Sequence, residues 1–235
     1  MLLTIFIVLS VGTWLGCHAY RRIALRLHFL DHPNSRSAHV EPTPIGAGIV
    51  FVTMFYVSLY AAWIMQIVST DILMGLLGGI PVAVIGLADD VKTLSWTVRA
   101  IVHTLAAAWA IYWVGFPAIS LFGMTLESSY VGLVFGVVAL VWLLNLYNFM
   151  DGIDGIAAVE AIFVCGAAAL LAGFSGQQWS LVNLLLGTVM FGFLVINWPN
   201  AKVFMGDVGS GFVGLMLGVL ILAYHDLSVW TWIIL

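Results

Sequence analysis

Five aspartates stand where charge is otherwise scarce in this chain: Asp89 and Asp90, Asp151 and Asp154, and Asp207. The middle pair belongs to Asn145-Leu146-Tyr147-Asn148-Phe149-Met150-Asp151-Gly152-Ile153-Asp154-Gly155, which sets two carboxamides, two carboxylates and two glycines between long apolar runs. A charge at the centre of a membrane helix costs about 2.5–3.5 kcal/mol, so acids placed here ask for a reason. A glycine directly after each aspartate suits a turn in which backbone approaches a ligand closely. Carboxylates drawn to one surface repel one another, and a divalent cation relieves them. Hard oxygen donors without a Cys or His pair favour Mg2+, or Mn2+, over zinc. Such an ion takes one or two protein ligands and leaves its other positions for water and phosphate. Asn148 and Asp207 are the expected direct ligands. A metal beside glycine-flanked loops and a few basic groups points to phosphate chemistry, where catalysis is mostly positioning and charge neutralisation.

The elements that must position these groups are membrane helices. Of 235 residues 63% are hydrophobic and only 8% charged, against about 25% charged in an ordinary soluble domain, and mean hydropathy is +1.13. The expected fold is an all-α polytopic transmembrane bundle forming a single domain over residues 1–235. At about 17–25 residues per span, eight complete helices are expected. They cover residues 2–20, 45–68, 72–88, 98–114, 130–147, 156–173, 179–197 and 210–224, with the start of a ninth from 229. The first apolar run has its basic residues after it rather than before, which marks a retained helix and not a signal peptide. Cys17 and Cys165 lie inside apolar runs without partner spacing and read as packing residues. Nothing points to nucleic acid.

All seven Lys and Arg residues, namely Arg21, Arg22, Arg26, Arg36, Lys92, Arg99 and Lys202, fall beside the connections after helices one, three, five and seven. The positive-inside rule makes that face cytoplasmic and sets the N-terminus outside. The same face collects Asp31 to Pro44, Asp89-Asp90, the Asn148 to Gly155 stretch and Phe204-Met205-Gly206-Asp207. The other face keeps only Asp71, Glu127, His225 and Asp226, without pattern. Each piece has a plainer reading. Asp89-Asp90 could be a solvated helix end, Thr43 to Gly48 a helix start with small packing residues, His39 an interfacial histidine and Phe204 a lipid-facing ring. It is their convergence that argues for a site.

The pieces resemble the polyprenyl-phosphate N-acetylhexosamine-1-phosphate transferases, the glycosyltransferase family 4 group that includes the phospho-MurNAc-pentapeptide translocase. The resemblance rests on Asp31-x-Pro33-x-x-Arg36-x-x-His39 with Pro42-Thr43-Pro44 and Gly46-Ala47-Gly48, then Asp89-Asp90. It continues with Asn145-x-x-Asn148-x-x-Asp151-Gly152-x-Asp154-Gly155 and Phe204-Met205-Gly206-Asp207-x-Gly209-Ser210, in family order across the chain. The wording around Asn148 is closest to the branch that initiates O-antigen and other surface polysaccharides. The resemblance implies an enzyme of the bacterial cytoplasmic membrane that moves a sugar-1-phosphate from a UDP-sugar to undecaprenyl phosphate and releases UMP. It implies that Asn148 and Asp207 bind Mg2+, and that Asp89, Asp90 and Asp151 are catalytic, the first two handling the lipid phosphate. Asp151 and Asp154 would line the nucleotide site, Phe204 would stack on the uracil, and Asn197 and His39 would contact the nucleotide end of the donor. Thr43, Lys92 and Arg99 join the substrate-binding set, the lysine one residue closer to the second aspartate than in the peptidoglycan relatives. A homodimer is a further expectation from the relatives. The chain is expected to be cut off in its ninth helix, before a cytoplasmic loop whose histidine- or arginine-containing motif helps select the sugar.

Other membrane proteins fit less well. A secondary transporter, the main alternative, would place its acids near mid-bilayer between inverted repeats. An intramembrane aspartyl protease needs Gly-x-Gly-Asp, and Phe204-Met205-Gly206-Asp207 lacks the first glycine. A CDP-alcohol phosphatidyltransferase needs Ala-Arg after its Asp-Gly, which Asp151 to Gly155 does not provide.

Overall fold

The computed structural model of the chain describes residues 2–33, 40–115, 119–121, 124–126, 130–172 and 177–223. Its helices are α1 Leu2–Leu27, α2 Gly48–Ile64, α3 Thr70–Leu76, α4 Gly79–Val91, α5 Trp96–Val114, α6 Tyr130–Met150, α7 Ile156–Ala172, α8 Gln177–Asn197 and α9 Gly206–Leu222. With α3 and α4 taken as one interrupted rod, the described residues form eight rods, and the protein is an all-α polytopic membrane bundle. Five rods are long and apolar enough to cross a bilayer: Leu3–Leu27, Thr70–Val91, Trp96–Val114, Tyr130–Met150 and Gln178–Asn197. The other three, α2, α7 and α9, have 17 residues each, the short end of the spanning range.

The helix ends depart from expectation in ways that matter for the site. The third span is not one regular helix. Pro81 has no amide to return to Leu77, and Gly78-Gly79 lie just before it, so the chain passes through tighter turns there. Gly78 N donates to Gly75 O and Ile80 N to Leu77 O, each three residues back. α1 runs on to Leu27, carrying Arg21, Arg22 and Arg26 on its last turns. α6 extends to Met150, so Asn145 and Asn148 are helical and only Asp151 to Gly155 form the turn. α9 begins at Gly206, four residues earlier than expected, which puts Asp207 in its first turn. Two small antiparallel pairs were not anticipated. β1 (Leu30–Asp31) pairs with β2 (Thr43–Pro44) and draws together the two ends of the first loop; β3 (Ile119–Leu121) pairs with β4 (Met124–Leu126). The ninth helix expected from 229, and His39 and Arg36, lie outside the described residues.

α9 is the axis of the bundle. Every residue from Val208 to Leu220 is buried, as befits a helix that is apolar all round. α4 and α6 pack along it, with α2, α5 and α7 touching it less, while α8 gathers α1 and α7 at one side. Cys17 and Cys165 are both buried and unpaired.

Glycines set the closest approaches to α9. A Cβ on Gly48 would lie 2.5 Å from the Gly209 Cα. One on Gly86 of α4 would overlap the Asp207 carbonyl oxygen and lie 2.5 Å from its carbon. Neither neighbour can yield, because both are backbone. Gly86→Ala should therefore push α4 off the start of α9. The expected loss is about 1–3 kcal/mol of stability, the usual range for overpacking a tight core, and denaturation of the detergent-solubilised protein measures it.

Candidate active site

One end of the bundle gathers the C-terminal ends of α1, α4, α6 and α8 and the N-terminal ends of α5, α7 and α9. The connecting segments are sewn together by backbone. Phe204 N donates to Pro44 O (2.8 Å), Ala47 N to Phe204 O (3.0 Å) and Gly48 N to Met205 O (2.9 Å). Tyr20, near the end of α1, adds its hydroxyl to Ile45 O at 2.6 Å. The loops after β2 and before α9 thus form one platform.

Asp90 supplies the deepest link. Its Oδ1 accepts from Asp207 N at 2.8 Å and its Oδ2 from Val208 N at 3.2 Å. These amides belong to the first turn of α9, which has no side-chain cap of its own. A carboxylate from another helix takes that place, where the helix dipole also favours it. Gly206, at φ 73°, lets the backbone pass this carboxylate; a Cβ there would sit 2.5 Å from Asp90 Oδ2.

Asp89 turns to the other side. Its Oδ1 accepts from Leu94 N (2.6 Å) and its Oδ2 from Arg99 Nη1 (2.6 Å). The same Arg99 nitrogen lies 3.1 Å from Asp207 Oδ2. Asp207 Oδ1 accepts from Asn148 Nδ2 at 2.8 Å, and that amide also reaches Ser210 Oγ at 2.7 Å. One guanidinium and one carboxamide therefore knit α4, α5, α6 and α9 around Asp207. Arg99, matched only loosely in the sequence, is at the centre of the cluster.

The other expected residues are placed differently. Asp154 accepts from Ala201 N at 2.9 Å and so ties the α6–α7 turn to the α8–α9 loop. Asn197 is 3% exposed, and both ends of its amide are engaged: Gly155 N donates to Oδ1 and Nδ2 donates to Val203 O, each at 3.0 Å. It braces two loops from within instead of offering an open contact to a nucleotide. Thr43 is buried in β2 and donates its hydroxyl to Glu41 O at 3.0 Å. Lys92 is exposed just past the end of α4, and Phe204 is half-buried on the platform. Tyr147, buried in α6, donates its hydroxyl to Ala157 O and pins the start of α7. Tyr20, Tyr147 and Gly86 carried no signal as positioning residues in the sequence. Each acts on backbone far away in sequence or across a turn, which local pattern does not disclose.

The five acids do not form a bare cluster. Asp90 and Asp154 are spent on backbone amides, and Asp89 and Asp207 share Arg99. Among the described residues no three His, Cys, Asp or Glu side chains gather as a ready cation cage. A Mg2+ ion held by one or two protein oxygens and by substrate phosphate does not need one, so Asn148 beside Asp207 fits that minimal donor set. Charge is least balanced at half-buried Asp151. Burial, and then the negative charges of Asp207, Asp90 and Asp154, push its carboxyl well above the usual carboxylate range. A carboxyl raised in the fold ionises more readily in the unfolded chain. Stability is then full below the ordinary carboxylate range and is lost as pH rises toward the raised value. Asp151→Asn should remove this loss. In the metal-free protein its melting temperature should exceed that of the wild type near neutral pH and converge with it at about pH 4, as a thermal melt at several pH values would show.

Fold and site together define an integral-membrane helical bundle with a polar, acid-rich centre at one end. The family model described as glycosyl transferase family 4 matches residues 72–225, and the chain belongs to that family. It is 26% identical over 236 residues to the decaprenyl-phosphate N-acetylglucosaminephosphotransferase of Mycolicibacterium smegmatis, covering 89% of this chain and 56% of that protein. It is 29% identical over 204 residues to the undecaprenyl-phosphate alpha-N-acetylglucosaminyl 1-phosphate transferase of Thermotoga maritima, covering 86% and 60%. A phospho-N-acetylmuramoyl-pentapeptide-transferase of Streptococcus pneumoniae is 32% identical over 123 residues, covering 52% and 37%. The chain thus spans between half and two thirds of the length of the first two relatives.

Proposed function

We propose that this chain carries the transferase site of an enzyme that moves a sugar-1-phosphate from a UDP-sugar to undecaprenyl phosphate in the bacterial cytoplasmic membrane. The observation that carries the proposal is the Arg99–Asp89–Asp207–Asn148 cluster, built at one end of a family 4 bundle from four separate helices. The names of the relatives support a polyprenyl phosphate acceptor and an N-acetylhexosamine donor. The motif wording favours initiation of an O-antigen-like surface polysaccharide. The basic residues at this end favour the cytoplasmic side, with the N-terminus outside. Acids at helix ends, rather than at mid-bilayer, weigh against a transporter.

In this reaction an oxygen of the lipid phosphate attacks the donor phosphorus bonded to the sugar. The new P–O bond forms as the bond to UMP breaks, and UMP carries away the electron pair. Mg2+, bound to Asn148 and Asp207, would neutralise charge on the donor pyrophosphate and the leaving UMP. Arg99 is placed to attract the lipid phosphate, and Asp89 beside it to take a proton from that phosphate if it arrives protonated. Asp90 acts mainly by holding Asp207 in register. Asp151 would line the nucleotide site, where a cation would lower the cost of its charge. Phe204, on the platform, offers a face for the uracil. Thr43, Asp154 and Asn197 shape the loops that present it, Lys92 supplies a charge at the exposed end of α4, and His39 would contact the nucleotide end of the donor.

Release of UMP by membranes containing the chain, given undecaprenyl phosphate, Mg2+ and a panel of UDP-sugars with and without EDTA, tests the reaction. Lipid- and metal-dependent release names the donor; none from this chain or from a version extended past Leu235 would overturn the proposal. Asp89→Asn and Asp207→Asn should each abolish transfer while leaving the protein inserted and folded. Full turnover in both would reject the assigned site. Phe204→Ala should weaken donor binding by about 1–3 kcal/mol, the worth of one base–aromatic stack, read as a rise in the donor Kd by titration calorimetry.

A further inference from the structure

Asn148 is held by a short hydrogen-bond relay that determines which way its amide faces. Ser210, in the second turn of α9 and 1% exposed, donates its hydroxyl to Gly206 O at 3.1 Å, four residues back. A hydroxyl has one proton. With that proton committed, Ser210 Oγ can meet Asn148 only as an acceptor, so the 2.7 Å contact carries an Nδ2 hydrogen. Asp207 Oδ1, at 2.8 Å, is an acceptor as well and takes the other Nδ2 hydrogen. Both hydrogens of the amide are therefore used. Its Oδ1 accepts no hydrogen bond among the described residues, and it is not sealed in the core. The reversed amide would press its oxygen against two acceptors at once, which fixes its orientation.

The two anchors are not equivalent. A cation that draws charge from Asp207 weakens that carboxylate as an acceptor, whereas the Ser210 oxygen, backed by the Gly206 carbonyl, is unaffected. We propose that Ser210 is a positioning residue: its hydroxyl, acting toward Asn148 only as an acceptor, keeps the Asn148 carbonyl oxygen outward as the neutral ligand of a divalent cation. This rests on the proposed Mg2+ site, and the chain's own residues supply the rest of the argument. Removing a group that orients a metal ligand commonly weakens metal affinity by 10–100-fold.

Mn2+, followed by its paramagnetic resonance signal on titration into the purified full chain in detergent, tests this without any substrate. The wild type should bind Mn2+, and Ser210→Ala should bind it roughly 10–100-fold more weakly, with the metal-free melting temperature little changed. In an Asn148→Ala background, which has no amide to orient, the same Ser210→Ala change should have no further effect on the Mn2+ affinity that Asp207 retains. A merely structural serine would weaken both backgrounds alike. If Ser210→Ala unfolds, Ser210→Cys, close in volume but a poor acceptor, replaces it. Unchanged Mn2+ affinity in Ser210→Ala overturns the positioning role alone. A wild type that binds no Mn2+ overturns the metal site beneath it.

Discussion

The Asp90 carboxylate against the first amides of α9 is the contact on which the rest of the structure depends. α9 is buried from Val208 to Leu220, and its first amides lie against α4 inside the bundle, where a protein acceptor must satisfy them. An unpaired buried amide costs roughly 1–3 kcal/mol, and an unpaired buried carboxylate more. Each is the other's remedy, and hydrogen bonds to a charged acceptor contribute about 1.5–3 kcal/mol. The contact closes only because Gly86 and Gly206 remove the two Cβ atoms that would stand in its way. Once α4 and α9 are joined in this manner, the neighbouring positions follow. Asp89, next on α4, faces α5 and Arg99; Asp207, first on α9 after its glycine, is presented to Arg99 and Asn148 together.

That arrangement changes how the acids should be understood. Five carboxylates near one membrane surface look like a demand for metal. The folded chain answers most of that demand itself, with backbone amides for Asp90 and Asp154 and a shared guanidinium for Asp89 and Asp207. What remains uncompensated is Asp151, crowded by three other acids, together with the outward oxygen of Asn148. In the proposed reaction a cation arriving with a phosphate ligand would therefore meet a site already held in shape, with little ordering left to oppose its binding.

Much of the architecture was legible in the sequence because membrane spans are set by length and apolarity, which are local. The eight rods, the gathering of acids at one end and the family all came from that level. The helix ends did not. Asp207 had been placed in a loop before α9, but a cap donated from α4 lets the helix start at Gly206. Asn148 had been placed beyond α6, yet the helix carries it to a position facing α9. Asn197 resembled a ligand contact and is a brace, since an amide with a donor and an acceptor can join two loops as readily as it can read a base. Arg99 matched no firm motif position and holds the centre, because a charge is located by what it neutralises and not by its spacing from neighbours.

The same network makes stability and chemistry hard to separate by substitution at most of these acids. Asp90 cannot be altered without loosening the start of α9, and Asp154 and Asn197 cannot be altered without freeing the loop that carries Phe204. Asp89 and Asp207 differ in degree, since an amide at either place keeps one of its two acceptor contacts and the backbone start of α9 stays capped by Asp90. Ser210 is more selective still. It touches no proposed substrate and carries no charge, and its removal leaves the α4–α9 contact intact. Its effect reaches the site through the facing of one carboxamide, so it separates the orientation of a ligand from the folding of the helices that hold it.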